Sequence, residues 1–483
     1  MPLLPDDPFS LGVASGDPTH DGVVLWTRLA PDPLVPGGGM DPVDVTVRWQ
    51  VGTDDALRDV VRDGTAVARP DGAHALHVLV EGLEPDRPYW YRFALGDHET
   101  PIARTRTLPS PDADVSSMRF GFVSCQNYTD GYYNAYRDLA SDDLDLVVHL
   151  GDYVYESGLD GVRRHDRDEV ITLDEYRARY ALYKGDAHLR AAHAFAPWLV
   201  TWDDHEVENN YTSGVPEADS TTPDPEAFVA RRAAAYRAWW EHMPTRLAAP
   251  AGPDLRIERR ADWGRLARFH VLDTRQYRTD QTCGVDDIGS VCDAALDPAA
   301  VVLGDTQERW LLDGLDGSPA TWNVLAQQIV FSFVDFLPGP DAVHNLDQWD
   351  GYPAARDRLL RFLAQRRPSN PVVITGDIHT SGVSDVLGDF ADPASPVVGT
   401  ELVGTSISSD APQVLSELVP IVLDNNPHLK WADASHRGWV RCTLTRDEWR
   451  ADYRLVDDNL VDDSNVRTAT SWVIPAGGRV EEA

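Results

Sequence analysis

Residues 144–156 read LDLVVHLGDYVYE, and this stretch decides the fold. A short apolar run stops on Gly151-Asp152, and a phenol, Tyr155, follows three residues later. Five further runs share its character: MRFGFVSC (118–125), WLVTWDD (198–204), ARFHVLDTR (267–275), WNVLAQQ (322–328) and PVVITGDIH (371–379). Between them lie helix candidates at 172–183 (TLDEYRARYALY), 225–243 and 354–367; Thr172 and Glu175 have the spacing of a capping box. Apolar runs alternating with helical patterns predict a layered α/β domain from residue 118 onward.

Upstream the pattern changes. VVLWTRL (23–29), DVTVRWQVG (44–52), HALHVLVEGL (74–83) and YWYRFALG (89–96) alternate apolar and polar residues between Pro, Gly and Asp turns, which predicts an all-β region. VEGLEPDRPYWYRF (80–93) with TRTLP resembles the corner and last strand of a fibronectin type III or Ig-like sandwich, with Tyr91 or a neighbour as corner tyrosine; a generic β-domain is the alternative. The linker TLPSPDADVSS (107–117) then divides an N-terminal β-sandwich domain (1–110) from a catalytic domain (118–483). Residues 457–483 are open to two readings, a lid over the site or a frayed acidic tail.

The chain has 483 residues, 78 Asp+Glu against 43 Lys+Arg and a formal charge of −35. That length suits one large and one smaller domain. A hydrophobic share of 42% with 15 Trp and 16 Tyr argues against disorder. So acidic a surface repels phosphate backbones and anionic lipid, so no nucleic-acid partner is expected. It says nothing against a pocket in which metal ions reverse the local field. Only Lys184 and Lys430 are lysines, the other 41 basic residues being Arg, which codon bias explains more simply than anion binding. No run of about 18 apolar residues predicts a membrane span. The first residues carry no export signal, so the protein stays inside the cell or a leader has been removed. Cys283 and Cys292 bracket a polar loop and suit a local disulfide, which favours export; a metal pair is the competing reading. Cys442 has no evident role.

The chemistry lies at the strand ends. One strand stops at Cys125, one at Asp152 with Tyr155, one at Asp203-Asp204-His205-Glu206, and one at Asp377 with His379. In open α/β sheets the carboxyl ends of the strands line one crevice. Each residue alone has a plainer role, such as a turn Asp or a small core Cys. Together they offer thiolate, phenolate, carboxylate and imidazole to a transition metal, and Asp-rich corners to Ca²⁺ or Mg²⁺. Asp152 can bridge two ions, and His205 stands beside Asp204 as a polarising or proton-donating group.

The co-linear set SCQ (124–126), GDYVYE (151–156), WDDHEVENN (202–210), LDTRQYR (272–278), QWDGYPAAR (348–356) and GDIH (376–379), with PFSLGVASGDP at 8–18, resembles the PhoD-type alkaline phosphatases and phosphodiesterases. The resemblance implies a calcineurin-like metallophosphoesterase core, two central sheets flanked by helices, behind a β-sandwich. It implies a ferric ion (Fe3+) on Cys125, Asp152, Tyr155 and His379, and calcium (Ca2+) on Asp152, Asp204 and Asp377. His205 matches the His of an Asn-His-Glu motif, although Asp204 stands where that motif has Asn. Asn209 is a further calcium or phosphate contact, and Arg275 contacts phosphate or buttresses a loop through Asp273. The family is exported, which implies a secreted protein.

The implied activity is hydrolysis of phosphodiesters and phosphomonoesters, with the ions neutralising phosphoryl charge and His205 protonating the leaving group. No GxSxG motif or phosphate-cradling Gly loop is present. One alternative is a phospholipase D-like enzyme, with FSFVDFLPGP (331–340) and Trp349 as an apolar lip for acyl chains; ordinary core is the competing reading of that segment. Another is a non-catalytic binding protein, against which the complete ligand set argues.

Overall fold

The computed structural model describes residues 7–284, 287–339 and 342–483. Its centre is two β-sheets face to face. The larger has ten strands, in spatial order Glu481–Glu482, Val466–Pro475, Glu448–Val456, Gly438–Thr445, Ser117–Val123, Leu146–His149, Trp198–Val200, Val13–Gly16, Gly22–Arg28 and Ala75–Glu81. The other has seven, Arg259–Trp263, Ala267–Val271, Trp322–Ala326, Pro371–Thr375, Val397–Val403, Ser381–Leu387 and Leu429–Asp433. Each contains a parallel group: 117–123, 146–149 and 198–200 in one, and 267–271, 322–326, 371–375 and 397–403 in the other. Parallel pairing sends the carboxyl ends of each group to one edge, which is where the predicted ligands follow.

Period-two alternation fills three layers of core. Phe120, Phe122, Leu146 and Val148 face Phe269, Val271, Val324 and Ile374 between the sheets. Val123, Val147 and Val200 turn the other way onto Tyr176, Tyr180, Leu189 and Trp239 of the helices Leu173–Lys184, Ala187–Phe195 and Pro225–His242. Leu325 and Val373 likewise face Leu311, Leu359 and Leu363 of the helices Gly304–Asp316 and Pro353–Arg366. Strands buried on both faces read as continuous apolar runs, hence the signal in the sequence. The result is an α/β fold of helices, sheet, sheet and helices. The predicted cap is present: Glu175 accepts from the backbone of Ile171 (3.0 Å) and Thr172 (2.9 Å).

The N-terminal region divides its strands. Val45–Gly52, Val60–Ala68, Pro88–Leu95, His98–Glu99 and Ala103–Arg106 form a separate five-stranded sheet. Val13–Gly16, Gly22–Arg28 and Ala75–Glu81 instead extend the ten-stranded sheet, Gly16 pairing in parallel with Trp198. A Cβ on Gly16 would lie 2.7 Å from the Trp198 carbonyl oxygen, so glycine lets the chains meet. Val47, Tyr91 and Phe93 pack across onto Val23, Leu25 and Val78. The hydroxyl tied to backbone at the corner belongs to Tyr89, which accepts from Glu84 N (2.7 Å); Tyr91 is buried in the sheet.

Residues 457–483 are not a frayed tail. Val466–Pro475 pairs with Glu448–Val456, and Trp472 and Ile474 are buried between the sheets, because that stretch alternates like a strand. Cys442 lies opposite Phe120 in the same core, a small apolar filler. Cys283 and Cys292 are disulfide-bonded. Among the described residues no helix is long and apolar enough to cross a membrane.

Candidate metal centre

The strand ends meet in one crevice, and the backbone there is unusual. Cys125, Asp152, Asp377 and His379 have φ of 58°, 57°, 66° and 55°, left-handed conformations that cost a non-glycine residue about 1 kcal/mol or more each. Gly151, at φ 116°, has no room for a side chain: a Cβ would lie 2.6 Å from Asp203 N. Cys125 N donates to Gly151 O (3.1 Å) and Gln126 N to Asp152 O (3.0 Å), which ties the first two loops together.

Ligand atoms of Cys125, Asp152 and His379 lie within 4.8 Å of one another, as do those of Asp152, Asp203, Asp204 and Asp377, and those of Asp152, Asp204 and His205. Asp152 belongs to all three groups. Tyr155 Oη joins the first, 3.1 Å from Asp152 Oδ2 and 3.0 Å from His379 Nε2, and accepts from Ser409 Oγ (2.7 Å). The donors suit two cations sharing one carboxylate. Asp152 Oδ1, Asp203 Oδ2 and Asp204 Oδ1 are buried with no hydrogen-bond partner, a cost that a cation removes.

The electrostatics agree. Burial, then neighbouring Asp152, holds the Cys125 thiol and the Tyr155 phenol well above their ordinary values. Burial and Asp204 push Asp152 up well above the carboxylate range, and burial lifts Asp377 to about 6 and Glu206 to about 7. So many acids cannot all ionise in one buried crevice without added positive charge. Asp204 goes the other way: burial raises it, but Arg275, His205 and the backbone N–H of Asn210 (2.7 Å) bring it to about 2. Burial lowers His379 to about 4, and its Nδ1 donates to Asp410 O (2.5 Å), which leaves a neutral imidazole whose unprotonated Nε2 faces Tyr155 Oη and can ligate.

His205 is held for a different task. Its Nδ1 lies 2.7 Å from Glu156 Oε2 and its ring centroid lies 4.1 Å from that of Tyr155, the planes tilted by 31°. Burial alone would lower its pKa, but Glu156, Asp204 and Asp152 together raise it well above the ordinary histidine value. Glu206 accepts from the backbone of Asp152 (3.0 Å), Tyr153 (2.7 Å) and Asp203 (2.8 Å), joining two ligand loops. Gln348 Nε2 donates to Asp377 Oδ2 (2.6 Å). Glu156, Glu206 and Gln348 stand inside the quoted motifs, where their positions were the available signal. Ser409 and Asp410, in SISSD (406–410), carried none.

Two residues expected to contact substrate have protein partners. Arg275 is fully buried and directs its donors at Asp203, Asp347, Asp204 and Asp377, so its guanidinium serves carboxylates, and Asp273 reaches only its backbone N–H (3.0 Å). Asn209 turns its amide nitrogen to Glu217 Oε1 (2.6 Å). Two residues of the expected apolar lip, Phe331 and Trp349, face inward. Phe331 and Trp349 are buried against each other, ring centroids 5.2 Å apart, because both fill the core under the helix Pro353–Arg366; Pro340 lies outside the described residues.

Likeness to known proteins decides the family. The family pattern described as "PhoD-like phosphatase" matches residues 120–453, and "PhoD-like phosphatase, N-terminal domain" matches residues 3–109. The chain belongs to the PhoD-like phosphatase family. Alkaline phosphatase D of Bacillus subtilis (strain 168) is 47% identical over 483 residues, covering 96% of this chain and 80% of that protein. A solved structure titled "Structure of PhoD" superposes with a TM-score of 0.96 at 46% identity, covering 100% of this chain and 93% of that one. Purple acid phosphatase 23 of Arabidopsis thaliana is 35% identical over 83 residues, 16% of this chain and 18% of that protein. As a PhoD-like phosphatase, the protein is a metal-dependent phosphoesterase, a hydrolase of phosphoric ester bonds. A non-catalytic role is thereby set aside, and the phospholipase D reading is not favoured.

Proposed function

We propose that the centre hydrolyses phosphodiesters and phosphomonoesters with a ferric ion held by Cys125, Asp152, Tyr155 and His379 and calcium held by Asp152, Asp204 and Asp377. The observation that carries this reading is the sharing of Asp152 between a thiol–phenol–imidazole group and an all-carboxylate group. The first donor set suits a hard trivalent transition metal with some thiolate character, and the second suits an oxygen-loving cation. When bound, the cations draw phosphoryl oxygens together and neutralise the charge that develops on them.

The protein's own groups do the rest. His205 keeps one nitrogen on Glu156 and offers Nε2 to protonate the leaving oxygen. Glu206 fixes the Asp152 and Asp203 loops, and the Asp410 carbonyl sets the His379 tautomer. The ring of Tyr155 packs along His205 and limits its rotation. We read the chain as an N-terminal β-sandwich to about residue 110 and a catalytic domain from 118, supported by the matched segments 3–109 and 120–453 and by the separate core beneath the five-stranded sheet. The Cys283–Cys292 bridge and the alkaline phosphatase D relative support an extracellular location.

Cys125→Ala and Asp152→Ala test the assignment. Each is expected to lose bound iron, its visible absorption band and turnover together; full activity in either variant overturns it.

A further inference from the structure

Arg275 is a fully buried guanidinium among the carboxylates of the second group. Its side chain has no solvent exposure. Nε donates to Asp203 Oδ1, one terminal nitrogen to Asp347 (3.0 Å), and the other lies 3.2 Å from Asp377 Oδ1 and 3.6 Å from Asp204 Oδ2. Three of these acids, with Asp152, form the all-carboxylate group. Arg275 is paired with none of Cys125, Asp152, Tyr155 and His379. Two of the acids around Arg275 each keep one oxygen free. Asp203 has Oδ1 on Arg275 and Oδ2 free; Asp204 has Oδ2 on Asn210 N and near Arg275, and Oδ1 free.

We propose that Arg275 is a positioning residue for the second cation subsite, its planar fork fixing which oxygen of Asp203 and Asp204 is left to face a cation, while Asp377 is held between Arg275 and Gln348. The inference rests on the two-cation reading above. A guanidinium suits this task because its nitrogens are separated in a rigid plane and reach acids lying in different directions, whereas an ammonium is a single point of charge. Asp347 braces the fork from outside the group, itself paired to Arg278 (3.2 Å).

The sign of one measurement separates positioning from charge. By Coulomb's law alone, removing a cation beside the subsite tightens binding of a second cation. If Arg275 works by positioning, its removal weakens that binding although the subsite becomes more negative. The test strips calcium from the iron-loaded protein with a calcium-selective chelator and titrates Ca²⁺ calorimetrically into wild type, Arg275→Lys and Arg275→Met. Expected is at least a tenfold weaker calcium affinity in both variants, no rescue by lysine, and an unchanged visible absorption band. Equal or tighter calcium binding in either variant overturns the proposal. Should both variants fail to fold, Asp347→Asn removes the brace, with several-fold weaker calcium binding expected and unchanged affinity overturning the proposal. If wild type retains iron but takes up no calcium, the two-cation reading fails and this proposal with it. If wild type binds calcium and the variants match it, only the role of Arg275 fails.

Discussion

Replacing Glu156 with glutamine removes a charge from behind His205 while preserving the shape of the crevice. Glu156 Oε2 lies 2.7 Å from His205 Nδ1, and Oε1 accepts from Asn209 N at 3.0 Å. Glutamine can still accept from the imidazole, but its oxygen brings no negative charge to hold the proton. Hydrogen bonds to charged groups contribute about 1.5–3 kcal/mol and neutral ones about 1 kcal/mol, so Glu156→Gln removes roughly 0.5–2 kcal/mol from the protonated form of His205. At about 1.4 kcal/mol per tenfold, kcat on a substrate whose leaving oxygen needs a proton falls roughly 2- to 30-fold. An alkyl phosphodiester has such a leaving group, whereas a nitrophenyl phosphodiester leaves without help and is expected to change little. His205→Ala removes the acid itself and costs the alkyl substrate roughly 10²–10⁴-fold. The assay is kcat on both substrates, with metals per chain measured to show that the centre is intact. An equal fall on both substrates with full metal content, or no fall on the alkyl ester, refutes proton donation by His205.

Three further outcomes are expected. Lys184 is buried, 4.1 Å from the Trp26 ring centroid, with no ion pair among the described residues, and burial holds its pKa well below the ordinary lysine value. The unfolded chain therefore binds the extra proton, and stability from this residue rises with pH until the unfolded value near about 10.4. Lys184→Met accordingly raises the denaturant midpoint at neutral pH, and the gap from wild type closes above that value; a gap independent of pH refutes this account. Cys283→Ser with Cys292→Ser opens a loop of sequence separation 9, which the chain-entropy argument values at roughly 2–3 kcal/mol; urea unfolding that leaves the midpoint unchanged contradicts it. Prolonged chelation at neutral pH lowers the melting temperature, because Asp152, Asp203, Asp204, Glu206 and Asp377 then share one buried crevice with no added cation; calorimetry showing no change argues against bound metal.

Much of the centre was legible in the sequence because both of its signals are local. A parallel strand buried on two faces must be a short apolar run, and the residue just past it must sit on the ligand edge, so Cys125, Asp152, Asp204, Asp377 and His379 announce themselves within a few residues of their strands. The α/β class, the capped helix at 173–184 and the disulfide follow from equally local rules. Tertiary structure alone decided what faces what. Arg275 reads the same whether it meets phosphate or carboxylates, and Asp203, 72 residues away, makes the difference. Glu156 reaches His205 across 49 residues and Ser409 reaches Tyr155 across 254. The strand Val13–Gly16 joined the central sheet, and Val466–Pro475 became a strand near its other edge, because each had an open neighbour to pair with. A residue's type and its place after a strand are properties of the chain. Its partner is a property of how two sheets stack, and no local pattern encodes that.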